Sequence, residues 1–306
     1  YPLMMLNIVA GMFIRGEGKP QIFMLITILS NIVNVYLDYL LVSRLNLGMQ
    51  GAALASGIAV FLGSIIYLFY FLSGKSVFNF TKPIYKSQEI REMCYNGSSE
   101  LIGQLSMSIT TALFNIVILN IMGVQGVAAM TIIGYLGYIH SMIIIGIGQG
   151  MSPIISYSHG AEDYHLIDLF RKYTQRVVFV IGILLLFFIY TGNQLYIRLF
   201  TDSSSTIMMV SLGIKIYSIA FIVNGYNMIA SFFFTSIGSA RESAIISGMR
   251  GLVLLSLSII ILPIFFKEIG IWIAVPFTEI VTFLIALKLI STRKQKQYSL
   301  NYIQDS

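Results

Sequence analysis

The stretch "FIRGEGKPQIFM", residues 13–24, interrupts an otherwise apolar sequence with two glycines, a proline and three charged residues. A phosphate-binding loop would need the pattern Gly-x-x-x-x-Gly-Lys-Ser/Thr. Counted back from Gly18, the first glycine falls on Phe13, and Pro20 stands where the hydroxyl residue should be. The stretch is therefore interpreted as a turn between two helices. The glycines allow the chain to reverse, and Pro20 starts the second helix.

On both sides of this turn the chain is too apolar to cover a water-facing surface. Its 306 residues are 57% hydrophobic and 10% charged, whereas soluble domains carry about 25% charged residues. Apolar runs of about 20 residues recur along the chain, and each is long enough to cross a hydrocarbon core of roughly 30 Å. These runs do not alternate as the strands of a transmembrane barrel would. The sequence predicts an all-α polytopic membrane protein.

Nine transmembrane helices are predicted, at residues 1–14, 20–43, 49–73, 96–121, 125–151, 174–197, 207–235, 243–266 and 269–291. The 19 Lys and Arg residues support this count. With the first turn in the cytoplasm, the outer side receives only Arg44, Arg198, Lys215 and Lys267. Positive charge marks cytoplasmic loops, so the C-terminus is predicted to be cytoplasmic. Topology thereby explains the net charge of +6 better than nucleic-acid binding does.

Two helix pairs, one early and one late in the chain, share a pattern of glycines. In the first pair Gly18 and Gly51 are 33 residues apart, and in the second Gly238 and Gly270 are 32 apart. Each unit consists of a break, a helix, a short outer turn and a helix, and both pairs point the same way. Parallel repeats of this kind are typical of secondary transporters, although chance similarity between apolar helices is the alternative.

Six strings, in this order, resemble a known family of secondary transporters. They are "RGEGKPQ" (15–21), "NIVNVYLDYLLV" (31–42), "LGMQGAALASGIA" (47–59), "GVAAMTIIGYL" (126–136), "GIGQGMSPIISYSHGA" (146–161) and "IGSARES" (237–243). The chain resembles the multidrug and toxic compound extrusion (MATE) family, in the part that follows the third helix. The resemblance implies two six-helix lobes that face each other in a V. It also implies export of amphipathic, often cationic compounds, driven by inward H⁺ or Na⁺.

The resemblance assigns each part of the chain to a lobe. It predicts the remainder of the N-lobe with three helices at 1–73, a cytoplasmic interlobe linker at 74–95, a six-helix C-lobe at 96–291 and a cytoplasmic tail at 292–306. A symmetric parent would have twelve helices. On this interpretation the chain begins in the middle of a helix and lacks about the first three, and an inert truncated product is one alternative function.

A flippase for lipid-linked oligosaccharides, of the same broad architecture, is another alternative. It would favour a large basic cavity, and no basic residue is expected deep within a span. An enzyme is not expected, because the chain lacks His-Glu-x-x-His and Gly-x-Ser-x-Gly motifs. The single cysteine, Cys94, excludes a cysteine-cluster metal site. We expect a monomer in the plasma membrane that has a small-molecule substrate, contacts lipid and uses no cofactor other than H⁺ or Na⁺ as coupling ion.

The candidate cation-coupling site combines Asn34, Asp38 and Ser56. Asn34 and Asp38 are four residues apart and share one helix face, and Ser56 follows on the next helix at similar depth. Their oxygens could together hold a dehydrated Na⁺, or burial could make Asp38 a proton carrier. Alternatively, Asp38 caps its helix or snorkels beside Arg44.

The family resemblance agrees with the coupling interpretation. Some members carry an Asn-x-x-x-Asp pair on the fifth helix and a hydroxyl residue on the sixth as part of a cation site. Asn34, Asp38 and Ser56 match those positions. That site has a further Asp on the first helix, for which this chain offers no counterpart.

Polar residues within the later helices are candidates for a substrate cavity: Glu100, Gln104, Asn115, His140, Gln149, Asn224, Asn227 and Glu279. Ionisable residues inside spans are rare and are treated as functional candidates. Glu100 either attracts cationic substrate at the cytoplasmic entry or caps the first turn of its helix. Asn224 and Asn227 either line the cavity or form hydrogen bonds between helices. Glu279 is expected to face the cavity or a partner such as Thr278 or Gln104.

Overall fold

The computed structural model describes residues 1–78, 80–82 and 85–304, and among these it contains helices and turns but no β-strand. The chain divides into two compact units, Tyr1–Tyr85 and Lys86–Ser306. This division falls inside the predicted interlobe linker at 74–95, of which residues 79, 83 and 84 lie outside the described residues.

The first unit is built from three helices, α1 (Pro2–Gly16), α2 (Pro20–Asp38) and α3 (Gly48–Leu72), with a π-helical turn at Tyr39–Arg44 that extends α2. Helices α2 and α3 form an antiparallel pair, and α1 packs against both. The small core consists of Ala10, Ile14, Ile26 and Tyr67.

The second unit is built from six helices and a second π-helical turn: α4 (Ser87–Gly160), α5 (Tyr164–Arg198), α6 (Ser204–Tyr217), α7 (Ala220–Ser236), α8 (Ala240–Gly248), the turn Met249–Val253 and α9 (Leu254–Gln304). Two of these helices are broken internally. Helix α4 breaks at Gly123, where φ is 66°, and α9 breaks at Lys267, where φ is 50°.

The predicted succession of helices is present in the described part of the chain. Among the described residues, five helices are long and apolar enough to cross a membrane, and the pair α6–α7, bent by 50°, is a candidate for a sixth span. Dividing α4 at Gly123 and α9 at Lys267 adds two more, and α1 is a shorter apolar helix. The prediction of an all-helical polytopic fold is confirmed.

Several boundaries differ from the predicted ones because polar residues continue the helices beyond their apolar spans. Helix α4 begins at Ser87, inside the predicted linker, rather than at residue 96. The stretch at 292–306, predicted as a polar tail, is helical as far as Gln304, and residues 305–306 lie outside the described residues.

The turns that open the two repeated helix pairs have the same backbone conformation. Gly18 has a φ of 76° and Gly238 a φ of 72°, values that a residue with a side chain adopts only with strain. In both cases the next helix begins two residues later, at Pro20 and Ala240. The glycine spacing in the sequence therefore corresponds to a repeated helix–turn–helix geometry.

Helix α7 is the central helix of the second unit. It packs against α4, α5, α8 and α9, and most of its residues are buried. Apolar packing surrounds it on both sides, with Trp272 in one core cluster and Phe234 in another. Polar side chains on α7 are therefore held inside protein rather than exposed to lipid.

Candidate functional site

A buried carboxylate, Glu279, is the centre of a polar cluster inside the second unit. Its Oε1 accepts hydrogen bonds from Arg250 Nε and Asn224 Nδ2, each at 2.7 Å. Its Oε2 accepts from Asn227 Nδ2 at 2.7 Å. Glu279 is 3% exposed, Asn224 8% and Asn227 0%, so the cluster lies within the helix bundle.

Three segments place these side chains together. Asn224 and Asn227 are three residues apart on α7 and share the face that meets α9. Arg250 lies in the π-helical turn Met249–Val253, and such turns are frequent at functional sites. Seven residues separate Arg250 from the start of the predicted span at residue 243. At 1.5 Å per residue this is about 10 Å, roughly a third of the thickness of the hydrocarbon core.

Close packing of the same turn against α4 supports this arrangement. A Cβ on Gly251 would lie 2.7 Å from the Cβ of Ser106, which is itself buried. Only a residue without a side chain permits this approach. With Gly251 held against α4, the neighbouring Arg250 bonds to Glu279 on α9.

Arg250 supplies the positive charge that makes a buried carboxylate tolerable at this depth. The side chains of Arg250 and Glu279 are 28% and 4% exposed. An unpaired carboxylate inside a membrane-spanning bundle is costly, whereas an ion pair whose oxygens also accept amide hydrogen bonds is satisfied. The cluster therefore carries both signs of charge and no net charge of its own.

The partners of Glu279 are Arg250, Asn224 and Asn227 rather than the two residues named as examples. Among the described contacts, Thr278 donates to Ser258 Oγ at 3.2 Å and Gln104 donates to Glu100 at 3.2 Å. The expectation that no basic residue lies deep in a span fails at Arg250. Counting charges by side assigns each arginine to the nearest helix end, and the pairing with a residue 29 positions later is invisible to such a count. The sequence did contain one signal for this pairing: Arg250 and Glu279 lie at comparable depths within two successive predicted spans.

His140 is buried beside this cluster. It is 1% exposed, and its ring centroid lies 4.7 Å from that of Phe221. Within the described part of the chain neither of its ring nitrogens has a hydrogen-bond partner. Glu279 and Arg250 both act on His140 electrostatically, which places the imidazole in the surroundings of the ion pair.

The remaining cavity candidates on α4 lie apart from the cluster. Glu100, Gln104 and Asn115 are exposed on the surface of the second unit, and Gln149 is partly buried. Because α4 begins at Ser87, Glu100 is well inside the helix. Its alternative role as a first-turn cap is therefore wrong.

In the first unit the structure brings together two of the three coupling candidates. Asn34 Nδ2 donates to Ser56 Oγ at 3.4 Å. Asp38 lies one turn further along α2, directly before the π-helical turn, and within the described ranges its Oδ1 is buried without a hydrogen-bond partner. Arg44 bonds to Tyr39 Oη at 3.1 Å and lies over the ring of Tyr39.

These three residues offer chemistry suited to a small cation. A carboxylate oxygen, an amide oxygen and a hydroxyl are ligands that hard cations prefer. An unsatisfied buried acceptor needs a proton, water or ion to complete it. The coupling role of Asn34, Asp38 and Ser56, and the cavity role of the residues on α4, α7 and α9, stay predictions.

Comparison with known proteins identifies the family. The family model MatE matches residues 101–265, which is more than half of the chain. The chain belongs to the MATE family. The resemblance inferred from the six strings is thereby confirmed, and the chain is a multi-pass membrane protein of a transporter family.

Relatives and solved structures agree with this assignment. The multidrug export protein MepA of Staphylococcus saprophyticus is 22% identical over 273 residues, which cover 89% of this chain and 58% of that protein. MepA of Staphylococcus aureus (strain MRSA252) is 22% identical over 275 residues, covering 89% and 60%. The chain spans about three fifths of the length of these curated relatives.

Two solved structures show the same fold. A MATE protein crystallised in complex with MaL6 matches with a TM-score of 0.88 and 22% identity over 96% of this chain and 68% of that one. An outward-facing multidrug resistance MATE transporter of the MOP superfamily matches with a TM-score of 0.88 and 22% identity over 94% and 65%. MATE transporters handle small molecules, and their architecture is the one that the helices of this chain adopt.

Proposed function

We propose that this protein is a secondary active antiporter, which exports amphipathic or cationic compounds by alternating access coupled to inward movement of H⁺ or Na⁺. The observation that carries the proposal is Asp38, an ionisable residue inside an apolar helix with a buried oxygen that has no partner among the described residues. Family membership and the likeness to multidrug export proteins support the transport direction.

The coupling chemistry would take place on one face of α2 and α3. Asn34 and Ser56 are already in contact, so a cation bound by Asp38 would find an amide and a hydroxyl together one helical turn away. Either Na⁺ completes the oxygen set, or a proton neutralises the carboxylate. In both cases the occupied and empty states differ by one charge, which is enough to favour different conformations of a bundle.

The proposal includes the setting in which transport occurs. The protein acts as a monomer in the plasma membrane, surrounded by lipid, with its C-terminus in the cytoplasm. Its partners are small amphipathic or cationic molecules, and nucleic acid is not among them. It catalyses no chemical reaction and needs no cofactor apart from the coupling ion.

Flipping of lipid-linked oligosaccharides is the second candidate, and Arg250 is the observation that bears on it. Arg250 is a basic residue within a span, which a flippase for anionic lipid carriers would use. Its charge is already paired with Glu279 at 2.7 Å, so it adds no net positive charge to the bundle. Export of amphipathic or cationic compounds is therefore the better supported function.

The test is dye efflux from vesicles that contain the purified protein. An imposed H⁺ or Na⁺ gradient is expected to drive export of ethidium by the wild type, and Asp38→Asn is expected to abolish the gradient dependence. Asp202→Asn, at an exposed position between α5 and α6, is the matched control and should export normally. Gradient-driven export that survives Asp38→Asn would remove Asp38 from coupling. Wild-type vesicles that export no dye under either gradient would contradict the transport proposal and favour the inert product.

A further inference from the structure

Among the described residues, every side chain that hydrogen-bonds to the Glu279 carboxylate is a donor. Arg250 Nε and Asn224 Nδ2 donate to Oε1, and Asn227 Nδ2 donates to Oε2, each at 2.7 Å. A protonated carboxyl group would need an acceptor for its O–H, and a guanidinium has none to offer. A proton on Glu279 would therefore deprive Arg250 of its ionic partner, and one asparagine amide would have to rotate so that its Oδ1, buried and unbonded among the described residues, accepts the O–H.

The geometry of the pair also controls access to Glu279. The Glu279 side chain is 4% exposed, whereas that of Arg250 is 28% exposed. The guanidinium is the accessible member of the pair, and the carboxylate lies behind it. A mobile cation that approaches Oε1 of Glu279 meets the guanidinium that is already bonded to this oxygen, while Oε2 is occupied by the amide of Asn227.

Other titratable groups near Glu279 do not take the place of Arg250. His140 on α4 and Tyr217 at the end of α6 interact with Glu279 through its electrostatic field. Among the described contacts, neither bonds to the carboxylate. Arg250 is the one permanently charged cation paired with Glu279 in the described part of the chain.

We propose that Arg250 is a tethered counter-ion, which occupies the position of a cation at Glu279 and keeps this carboxylate out of H⁺ and Na⁺ exchange. Arg250 is then a positioning residue. Glu279 stabilises the packing of the helices and does not couple ion movement to transport. The inference rests on the proposed antiport function, because keeping a carboxylate out of ion exchange matters only in a protein that exchanges ions. Coupling is then left to Asp38, whose buried oxygen has no such partner within the described ranges.

The test uses dicyclohexylcarbodiimide on the protein in membranes, with the labelled carboxyl groups located by mass spectrometry. The reagent reacts with a carboxyl group that carries a proton, which moves to a carbodiimide nitrogen while the carboxyl oxygen bonds to the central carbon. The variants are Arg250→Gln, which removes the charge, and Arg250→Lys, which keeps it. Arg241→Gln, at an exposed arginine on α8, is the matched control.

Wild type, Arg250→Lys and Arg241→Gln are expected to leave Glu279 unlabelled. Arg250→Gln is expected to raise labelling of Glu279 by roughly tenfold or more, since loss of one partner leaves a buried charge uncompensated. Labelling of Glu279 in the wild type would overturn the proposal, and this arm needs no variant to fold. Absence of labelling in folded Arg250→Gln would overturn it as well.

The labelling results for Glu279 and the dye-export results test the two proposals independently. Failure of dye export contradicts the antiport but leaves the labelling of Glu279 as it is. A labelled Glu279 in wild-type protein that still exports dye overturns the counter-ion role alone.

Discussion

Asn227 on α7 donates to two oxygens of Glu279 on α9, the side-chain Oε2 at 2.7 Å and the backbone carbonyl at 2.9 Å. This bidentate contact fixes the central helix of the second unit against its last helix. It holds the carboxylate in one orientation while Arg250 and Asn224 satisfy its other oxygen.

Replacement of Asn227 is expected to destabilise the second unit. Asn227→Leu keeps a similar shape but leaves Oε2 of Glu279 without its donor among the described residues, at a cost of about 1–3 kcal/mol. The measurement is thermal unfolding of the purified protein in detergent. Asn115→Leu, at an exposed asparagine on α4, is the control and should change stability by no more than about 0.5 kcal/mol. Equal losses in the two variants would contradict the role of the contact.

The Arg250–Glu279 pair is expected to show strong energetic coupling. Arg250→Gln and Glu279→Gln each leave a charge without its partner, whereas the double variant leaves none. The double variant should therefore be more stable than the sum of the single losses predicts, by about 1–3 kcal/mol. Denaturation of the four proteins forms the double-mutant cycle, and additive losses would show that the two side chains do not stabilise each other.

The sequence predicted the helices and the turns well because each depends on local properties. Hydropathy located the spans, and Gly18 and Gly238 marked the two turns that have positive φ. Asn224, Asn227 and Glu279 were recognised as unusual because polar residues in apolar helices need a reason. Their mutual contact was not predicted, since it depends on the rotation of α7 and α9 about their axes.

Arg250 shows why the rest of the site could not be predicted. An arginine ten residues into a helix can snorkel to the surface or pair within the bundle. The π-helical turn at Met249–Val253 changes the face on which the residue lies, and no periodicity of 3.6 residues anticipates such a turn. The start of α4 at Ser87 was missed for a related reason, because the helix begins before its apolar run does.

Ser56 is expected to affect ion affinity more than folding. Its described side-chain contact is a long hydrogen bond of 3.4 Å from Asn34, so Ser56→Ala should cost no more than about 0.5 kcal/mol of stability. If Ser56 supplies a ligand to Na⁺, the same variant should raise the Na⁺ concentration for half-maximal dye export several-fold. Ser204→Ala, at the exposed first residue of α6, is the control. An unchanged Na⁺ dependence would remove Ser56 from the cation site.

Gly238 is expected to be needed for its backbone conformation alone. Its φ is 72°, and a Cβ built there would meet no atom of the described residues within 4 Å. Gly238→Ala should therefore destabilise the protein by roughly 1–2 kcal/mol through strain in the left-handed region. Gly57→Ala is the matched control, because Gly57 is helical and equally open. It should be neutral or stabilising by up to about 1 kcal/mol, and similar thermal shifts in both variants would contradict the argument.

The turn between α1 and α2 is expected to weaken in acid because of Glu17. The Glu17 side chain is fully buried, and burial by itself raises the pKa of its carboxyl group. Hydrogen bonds from Ser76 and Tyr70, with smaller contributions from the backbone of Phe78 and the charge of Lys19, outweigh burial. The pKa of Glu17 is therefore lowered from its ordinary value of 4.5.

A carboxyl group whose pKa is lowered by folding stabilises the folded state when ionised. This stabilisation is complete above the ordinary value of 4.5 and is lost as the pH falls through the lowered value. Amide hydrogen exchange in residues 15–19 should therefore accelerate, after correction for the intrinsic rate, as the pH falls below that window. Glu17→Gln should exchange faster than wild type at neutral pH and lose this acid dependence. Glu89→Gln, from an exposed pair with Lys86, should behave as wild type, because exposed ion pairs contribute little. An acid transition that persists in Glu17→Gln would assign it to another group.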